Sequence, residues 1–143
     1  DVIERGSRLF DKLIVAMAIN IEKLPLFSVE EREEMLRATM QERGIDNVEV
    51  EHFDGMIVDF VKSQGSRVLL RGIRSLSDFE SEFQMALTNR ELARDVETVF
   101  VMASLEYSFV SSRLIREVAA LGGDVSRFVP PVAEAKLKQR FQR

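Results

Sequence analysis

Apolar positions along the chain switch between two spacings. Val2, Ile3, Leu9 and Phe10 recur with helical spacing at the start. "KLIVAMAI" (12–19) then runs apolar without a break, too short for most helices, and predicts a strand buried on both faces. Ser28 stands three residues before Glu31, a capping box, and "SVEEREEMLRATMQERG" places Val29, Met35, Leu36 and Met40 on one side before Gly44 stops it. "NVEVEHF" alternates as a strand, "GMIVDFVKSQG" reads as a short apolar helix ending at Gly65, and 67–70 is again a short buried strand. Ser77, three residues before Glu80, reads as a second capping box opening a helix over 78–94. "ETVFVMA" (97–103) is the last strand. A helix is predicted from Ser111 to Leu121, ended by Gly122 and Gly123, and another after Pro130 and Pro131 that reaches Arg143.

Regular alternation of helices and strands predicts a parallel sheet covered on both faces, a Rossmann-like doubly wound α/β fold in one domain over 1–143. Ligands of such sheets sit beyond the carboxyl ends of the strands. Four segments therefore hold the candidate chemistry: "NIEKLPLF" with Lys23, "HFDGMI", "RGIR", and "SLEYSFVSSR".

Composition narrows the function. The 143 residues suit one domain with one core, and the net charge of -4 argues against a general nucleic-acid or membrane-surface binder, so any anion site must be local. The chain has no cysteine and one histidine, His52, which excludes disulfides and thiolate or His-rich metal sites. His52 reads as a structural residue at a strand end, and Met35, Met40, Met56 and Met85 as core filler. No apolar run approaches the ~18 residues of a membrane span, and no signal peptide is visible, so a cytoplasmic location is the default expectation.

At the fourth segment, Ser111 and Ser112 stand at a helix start, where unpaired backbone N–H groups and the macrodipole favour an anion, with Arg113 and Arg116 nearby. An ordinary serine N-cap with solvated arginines fits the same spacing. At the third, Gly72 lets backbone approach a ligand while Arg71 and Arg74 offer forks of donors suited to phosphate. The plain alternative is a turn whose arginines pair with Asp78, Glu80 or Glu82.

"KLPLF" with "SVEER", "FDGMIVDF", "RGIRSLSDFESEFQMALTNR" and "YSFVSSRLIRE" together resemble the bacterial phosphopantetheine adenylyltransferases of the nucleotidylyltransferase superfamily, in order over nearly the whole chain. The resemblance implies transfer of the adenylyl group of ATP to 4′-phosphopantetheine, giving dephospho-coenzyme A and pyrophosphate. It also implies Mg²⁺ with ATP, feedback inhibition by coenzyme A, and a homohexamer. By position, Lys23 corresponds to the lysine at the reacting phosphates. Ile57, Arg71 and Asn89 correspond to residues around 4′-phosphopantetheine. Gly72, Ile73, Arg74 and Glu82 correspond to an ATP-binding set, joined by Tyr107, Ser108, Phe109, Val110, Ser111, Ser112 and Arg113. Two other readings compete: a nucleotidylyltransferase acting on another small phosphorylated substrate, and a non-catalytic nucleotide or coenzyme A binding module.

This sequence departs from the family pattern in three places. The family opens with a strand, a Gly-Thr-Phe-Asp-Pro-like loop and a Thr/His-x-Gly-His motif, and residue 1 aligns just after that motif. The expectations that follow are a first strand missing from the centre of the sheet and impaired catalysis by the 143 residues alone. Arg113 stands where Ser or Thr is common, and "INIEK" replaces a Ser-Pro-type loop.

Overall fold

In the computed structural model, residues 1–19 and 25–141 are described. They form α1 (Val2–Leu9), β1 (Leu13–Ala18), α2 (Val29–Glu42), β2 (Val48–Phe53), α3 (Ile57–Ser63), β3 (Val68–Ile73), α4 (Leu76–Leu92), β4 (Glu97–Met102), α5 (Ser112–Ala120) and α6 (Pro131–Phe141). A short 3₁₀ turn, Leu105–Tyr107, follows β4. The alternation is the predicted α/β order.

Both strand pairs are parallel, as expected: Leu13 lies opposite Val48 and Ala18 opposite Phe53, while Val68 lies opposite Glu97 and Ile73 opposite Met102. Among the described residues the pairs form two separate two-stranded sheets, β1 with β2 and β3 with β4. Between β1 and β3 lies a cavity of about 440 Å³, walled by Leu13 and Val15 on one side and by Leu70 and Arg71 on the other. α1 bridges it: a Cβ on Gly6 would stand 2.6 Å from Leu70 Cδ2 and 3.1 Å from Leu13 Cδ2, so the absent side chain lets the helix touch both half-sheets.

Buried apolar residues fall into three clusters. Met17, Met40 and Val50 join β1, α2 and β2; Val58, Val61, Leu69, Ala93 and Val96 join α3, β3 and the end of α4; Ile115, Val125 and Leu137 join α5 and α6. The slot separates the first two. Val125, 2% exposed, anchors the third, and burying a side chain of this type stabilises by roughly 1.5–3 kcal/mol. The methionines divide: Met40 is core, but Met56 and Met85 are 47% and 43% exposed, because Met56 caps α3 from outside and Met85 lies on the outer side of α4.

Local signals succeed where the cap is unambiguous. Ser28 Oγ accepts from Glu31 N at 3.2 Å and Glu31 Oε2 accepts from Ser28 N at 2.8 Å, completing the capping box of α2. The box expected at Ser77 and Glu80 does not form. α4 starts earlier, at Leu76, with extended Ser75 as N-cap accepting from Asp78 N at 3.2 Å, while Ser77 Oγ lies 2.9 Å from Ser75 Oγ. Two serines compete for one helix start, and the one directly after the strand takes it.

Candidate active site

β3 runs on through Ile73, so Arg71, Gly72 and Ile73 are the last part of the strand and Arg74 follows directly after it. Gly72 therefore lies within the strand, against α1. A Cβ there would stand 2.7 Å from Val2 Cγ2, and the missing side chain makes room for α1. Ile73 points into the protein and is buried.

Arg71 and Arg74 leave the strand end toward α4 and meet two carboxylates one helical turn apart. Arg71 Nε donates to Glu82 Oε2 at 2.7 Å and its Nη2 to Oε1 at 2.6 Å. Glu82 raises the Arg71 guanidinium further above its ordinary range, against the opposing effect of burial. Arg74 Nε donates to Asp78 Oδ2 at 2.8 Å and its Nη2 to Oδ1 at 3.1 Å. The hydrogen bonds from Arg74 hold the Asp78 carboxyl below its ordinary range. Asp78 and Glu82 share a face of α4 because they are four residues apart. Both arginines thus adopt the carboxylate-paired arrangement that the sequence allowed as the plain alternative. Each keeps further donors: of five N–H groups on a guanidinium, Arg71 commits two here.

Beyond β4 the chain makes the 3₁₀ turn, in which Ser108 Oγ donates to Leu105 O at 2.8 Å and Val110 N to Tyr107 O at 3.1 Å. Phe109 packs edge-on to Phe128 with ring centroids 5.8 Å apart, tying this segment to the chain before α6. Ser111 is the N-cap of α5, its hydroxyl accepting from Leu114 N at 3.2 Å. The amides of Ser112 and Arg113 lie in the first turn, where no intrahelical acceptor exists. Arg113 is exposed. One contact joins the third and fourth strand ends: Arg74 Nη1 donates to Val110 O, the carbonyl just before the α5 cap.

The sequence-predicted residues therefore divide between cavities. Ile57 and Arg71 line the 440 Å³ slot. Arg74, Tyr107 and Val110 line a second cavity of about 900 Å³ with Val2, Arg43 and Arg127. Ser112 and Val110 line a third, of about 940 Å³, with Ile19, Pro25 and Arg116. Lys23 lies outside the described residues. Asn89 is 5% exposed, two turns along α4 from Glu82 on the same face, and its Nδ2 has no hydrogen-bond partner among the described residues. A buried donor without a partner calls for a water or a ligand oxygen. His52 is exposed at the end of β2.

Two contacts lay beyond sequence reasoning. Asp1 accepts from Ser104 N at 2.9 Å and Ser104 Oγ at 2.7 Å, and Arg5 Nη1 donates to Met102 O at 3.1 Å, binding the start of α1 to the end of β4. Partners a hundred residues apart carry no local signal.

A parallel α/β frame with anion-suited groups at adjacent strand ends matches the model of the cytidylyltransferase-like family over residues 1–118. The chain is 48% identical over 143 residues to the phosphopantetheine adenylyltransferase of Carboxydothermus hydrogenoformans, covering 100% of this chain and 87% of that one. It is 47% identical over 141 residues to that of Heliobacterium modesticaldum, covering 99% and 83%, and 46% identical over 143 residues to that of Caldanaerobacter subterraneus subsp. tengcongensis, covering 100% and 88%. The chain belongs to the cytidylyltransferase-like family and, within it, to the phosphopantetheine adenylyltransferases.

Proposed function

We propose that this protein transfers the adenylyl group of ATP to 4′-phosphopantetheine, giving dephospho-coenzyme A and pyrophosphate in coenzyme A biosynthesis. The observation that carries the reading is the junction of two strand ends, where Arg74 reaches Val110 O beside the α5 N-terminus, in a chain 48% identical to a phosphopantetheine adenylyltransferase. A phosphate oxygen of 4′-phosphopantetheine attacks the α-phosphorus of ATP in line, and the bond to the pyrophosphate oxygen breaks. No protein nucleophile is required, so the protein acts by positioning and by neutralising charge.

In this reading Arg71 holds the 4′-phosphopantetheine phosphate through the donors that Glu82 leaves open, with Ile57 and Asn89 beside the same substrate. Arg74, Gly72 and Ile73, the segment Tyr107–Arg113 and the amides of Ser112 and Arg113 receive ATP, and Lys23 sits at the reacting phosphates. Glu82, assigned to the ATP side in this reading, is bonded to Arg71 and so would bear on both substrates. Mg²⁺ is assigned to the ATP phosphates, which supply oxygens to a small hard cation.

The whole of 1–143 is assigned to one nucleotidylyltransferase domain. Self-association into a homohexamer, with coenzyme A as feedback inhibitor, is part of the same reading. Its support is the outer side of α4, where Phe79 and Phe83 stack with centroids 5.7 Å apart and stand 45% and 47% exposed. Among the described residues the slot leaves the facing β1 and β3 edges unpaired beside Arg71. No described helix is long and apolar enough to cross a membrane.

The deciding assay is mass-spectrometric detection of dephospho-coenzyme A from ATP, Mg²⁺ and 4′-phosphopantetheine. Product at an enzymatic rate supports the reaction. No product, with both substrates still bound, would favour the binding-module reading, and turnover of a different phosphorylated acceptor would favour another nucleotidylyltransferase.

A further inference from the structure

Arg74 belongs to the proposed ATP site, yet three of its five guanidinium donors are already engaged by the protein. Nε and Nη2 meet the two oxygens of Asp78, and Nη1 meets Val110 O. Asp78 Oδ2 also accepts from the backbone N of Arg74 at 3.2 Å. The carboxylate therefore clamps both the main chain and the side chain of Arg74, at the point where β3 passes into α4. Asp78 is itself fixed, because its own N–H donates to the N-cap Ser75 at 3.2 Å. Along this line the α4 N-terminus holds Asp78, Asp78 holds Arg74, and Arg74 holds the carbonyl that precedes the Ser111 cap of α5. Two donors remain, one each on Nη1 and Nη2, and their directions are set by the bonds already made.

We propose that Asp78 is a positioning residue for the nucleotide side of the site. It touches no substrate. By fixing Arg74 it ties the N-terminus of α5 to the end of β3, so that the amides of Ser112 and Arg113 and the two open Arg74 donors face one bound polyphosphate together. The proposal rests on the ATP-site reading above. Without the carboxylate, Arg74 would remain a cation of the same charge, but as a long side chain sampling several rotamers, and the α5 start would lose its tether to β3. Binding would then bear the ordering of both groups, which lowers affinity without removing any phosphate contact.

The test compares wild type with Asp78→Asn, Asp78→Glu and, as a control that breaks another exposed acid–base pair, Asp95→Asn, whose carboxylate meets Lys62 Nζ at 3.0 Å. Hydrogen exchange in the absence of ligand reads the tether. Asp78→Asn should exchange the amides of 108–114 about ten-fold faster than wild type, with those of β1 and β2 unchanged and Asp95→Asn at the wild-type rate. Calorimetry with ATP and Mg²⁺ should show about ten-fold weaker ATP binding in Asp78→Asn, unchanged 4′-phosphopantetheine binding, and partial recovery in Asp78→Glu. Steady-state kinetics should place the loss in the KM for ATP, with kcat within about two-fold of wild type. Wild-type exchange at 108–114 in Asp78→Asn, or equal acceleration in Asp95→Asn, would overturn the tether. Faster exchange with unchanged ATP affinity would overturn the positioning role. If wild type bound no ATP, the ATP-site reading would fall, and the exchange data would still decide whether Asp78 fixes α5.

Discussion

Arg71 and Glu82 meet as a parallel two-bond fork, at 2.6 and 2.7 Å, between the end of β3 and the middle of α4. Such forks are stronger and more directional than single ion-pair contacts. The two partners are unequally exposed, 40% for the arginine and 15% for the glutamate side chain, so the more enclosed acid holds a cation whose outer edge still reaches water. An arginine fixed in this way is ordered without a ligand. Arg71→Ala is expected to weaken 4′-phosphopantetheine by at least about ten-fold with ATP affinity changed less than about two-fold. Calorimetry with each substrate separately checks this, and equal losses would end the division between the two arginines.

Gly72 is expected to tolerate no side chain for a packing reason. Gly72→Ala would press Cβ within 2.7 Å of Val2 Cγ2, and overpacking of this kind costs about 1–3 kcal/mol. Adding Val2→Ala should restore most of the loss in a denaturation experiment. A Gly72→Ala protein as stable as wild type would show that α1 can shift away from the strand.

The two serine caps separate stability from binding. Ser28→Ala and Ser111→Ala each remove an acceptor from a helix start, and each is expected to lower stability by about 1 kcal/mol. Only Ser111→Ala should also weaken ATP, because only α5 begins at the proposed triphosphate site. Thermal melts with and without ATP measure both effects, and matching ligand-induced shifts in the two variants would count against that site.

Asp78 sets an acid limit. Its carboxyl is held below the ordinary range by Arg74, so the folded state binds its proton less tightly than the unfolded chain does. The stabilisation is fully present above the unfolded value of about 3.9 and fades as pH falls through the lower folded value. The stability difference between wild type and Asp78→Asn should therefore be flat from about pH 5 to 8 and narrow below about pH 4. A difference that varied across the neutral range would assign the dependence to another group.

Lys23→Ala is expected to lower kcat by at least about 100-fold with little change in ATP affinity, as for a charge that acts mainly in the transition state. Single-turnover and binding measurements on the same sample check it. Unchanged kcat would remove Lys23 from the mechanism.

The arginine pair shows how far local reading reaches. That Arg71 and Arg74 leave the end of a buried strand was legible from the apolar run before them, and the acids on the following helix were visible as candidate partners. Which acid meets which arginine was not, because a helix that could start at Ser75 or at Ser77 turns a different face to the strand. The packing of the glycine between the arginines against α1 was not legible for a related reason: close approach of a ligand and clearance for Val2 demand the same small residue. Asn89 reads in the sequence as one more polar residue on a helix, and its burial follows only from the packing of α4.

Periodicity, caps and breakers are local properties, set by side-chain spacing of 2 or 3.6 residues and by backbone groups within one turn. They were enough to determine the alternation of helices and strands, the parallel direction and the strand ends at which a phosphate site is proposed. Tertiary structure decided what depends on distant partners: the split of the sheet between β1 and β3 among the described residues, the bridge of α1 across it, and the bond from Arg74 to Val110 that ties two strand ends together. Those contacts join residues 36 to 103 positions apart, and nothing in the spacing of a sequence specifies which of many compatible groups will meet when the chain folds.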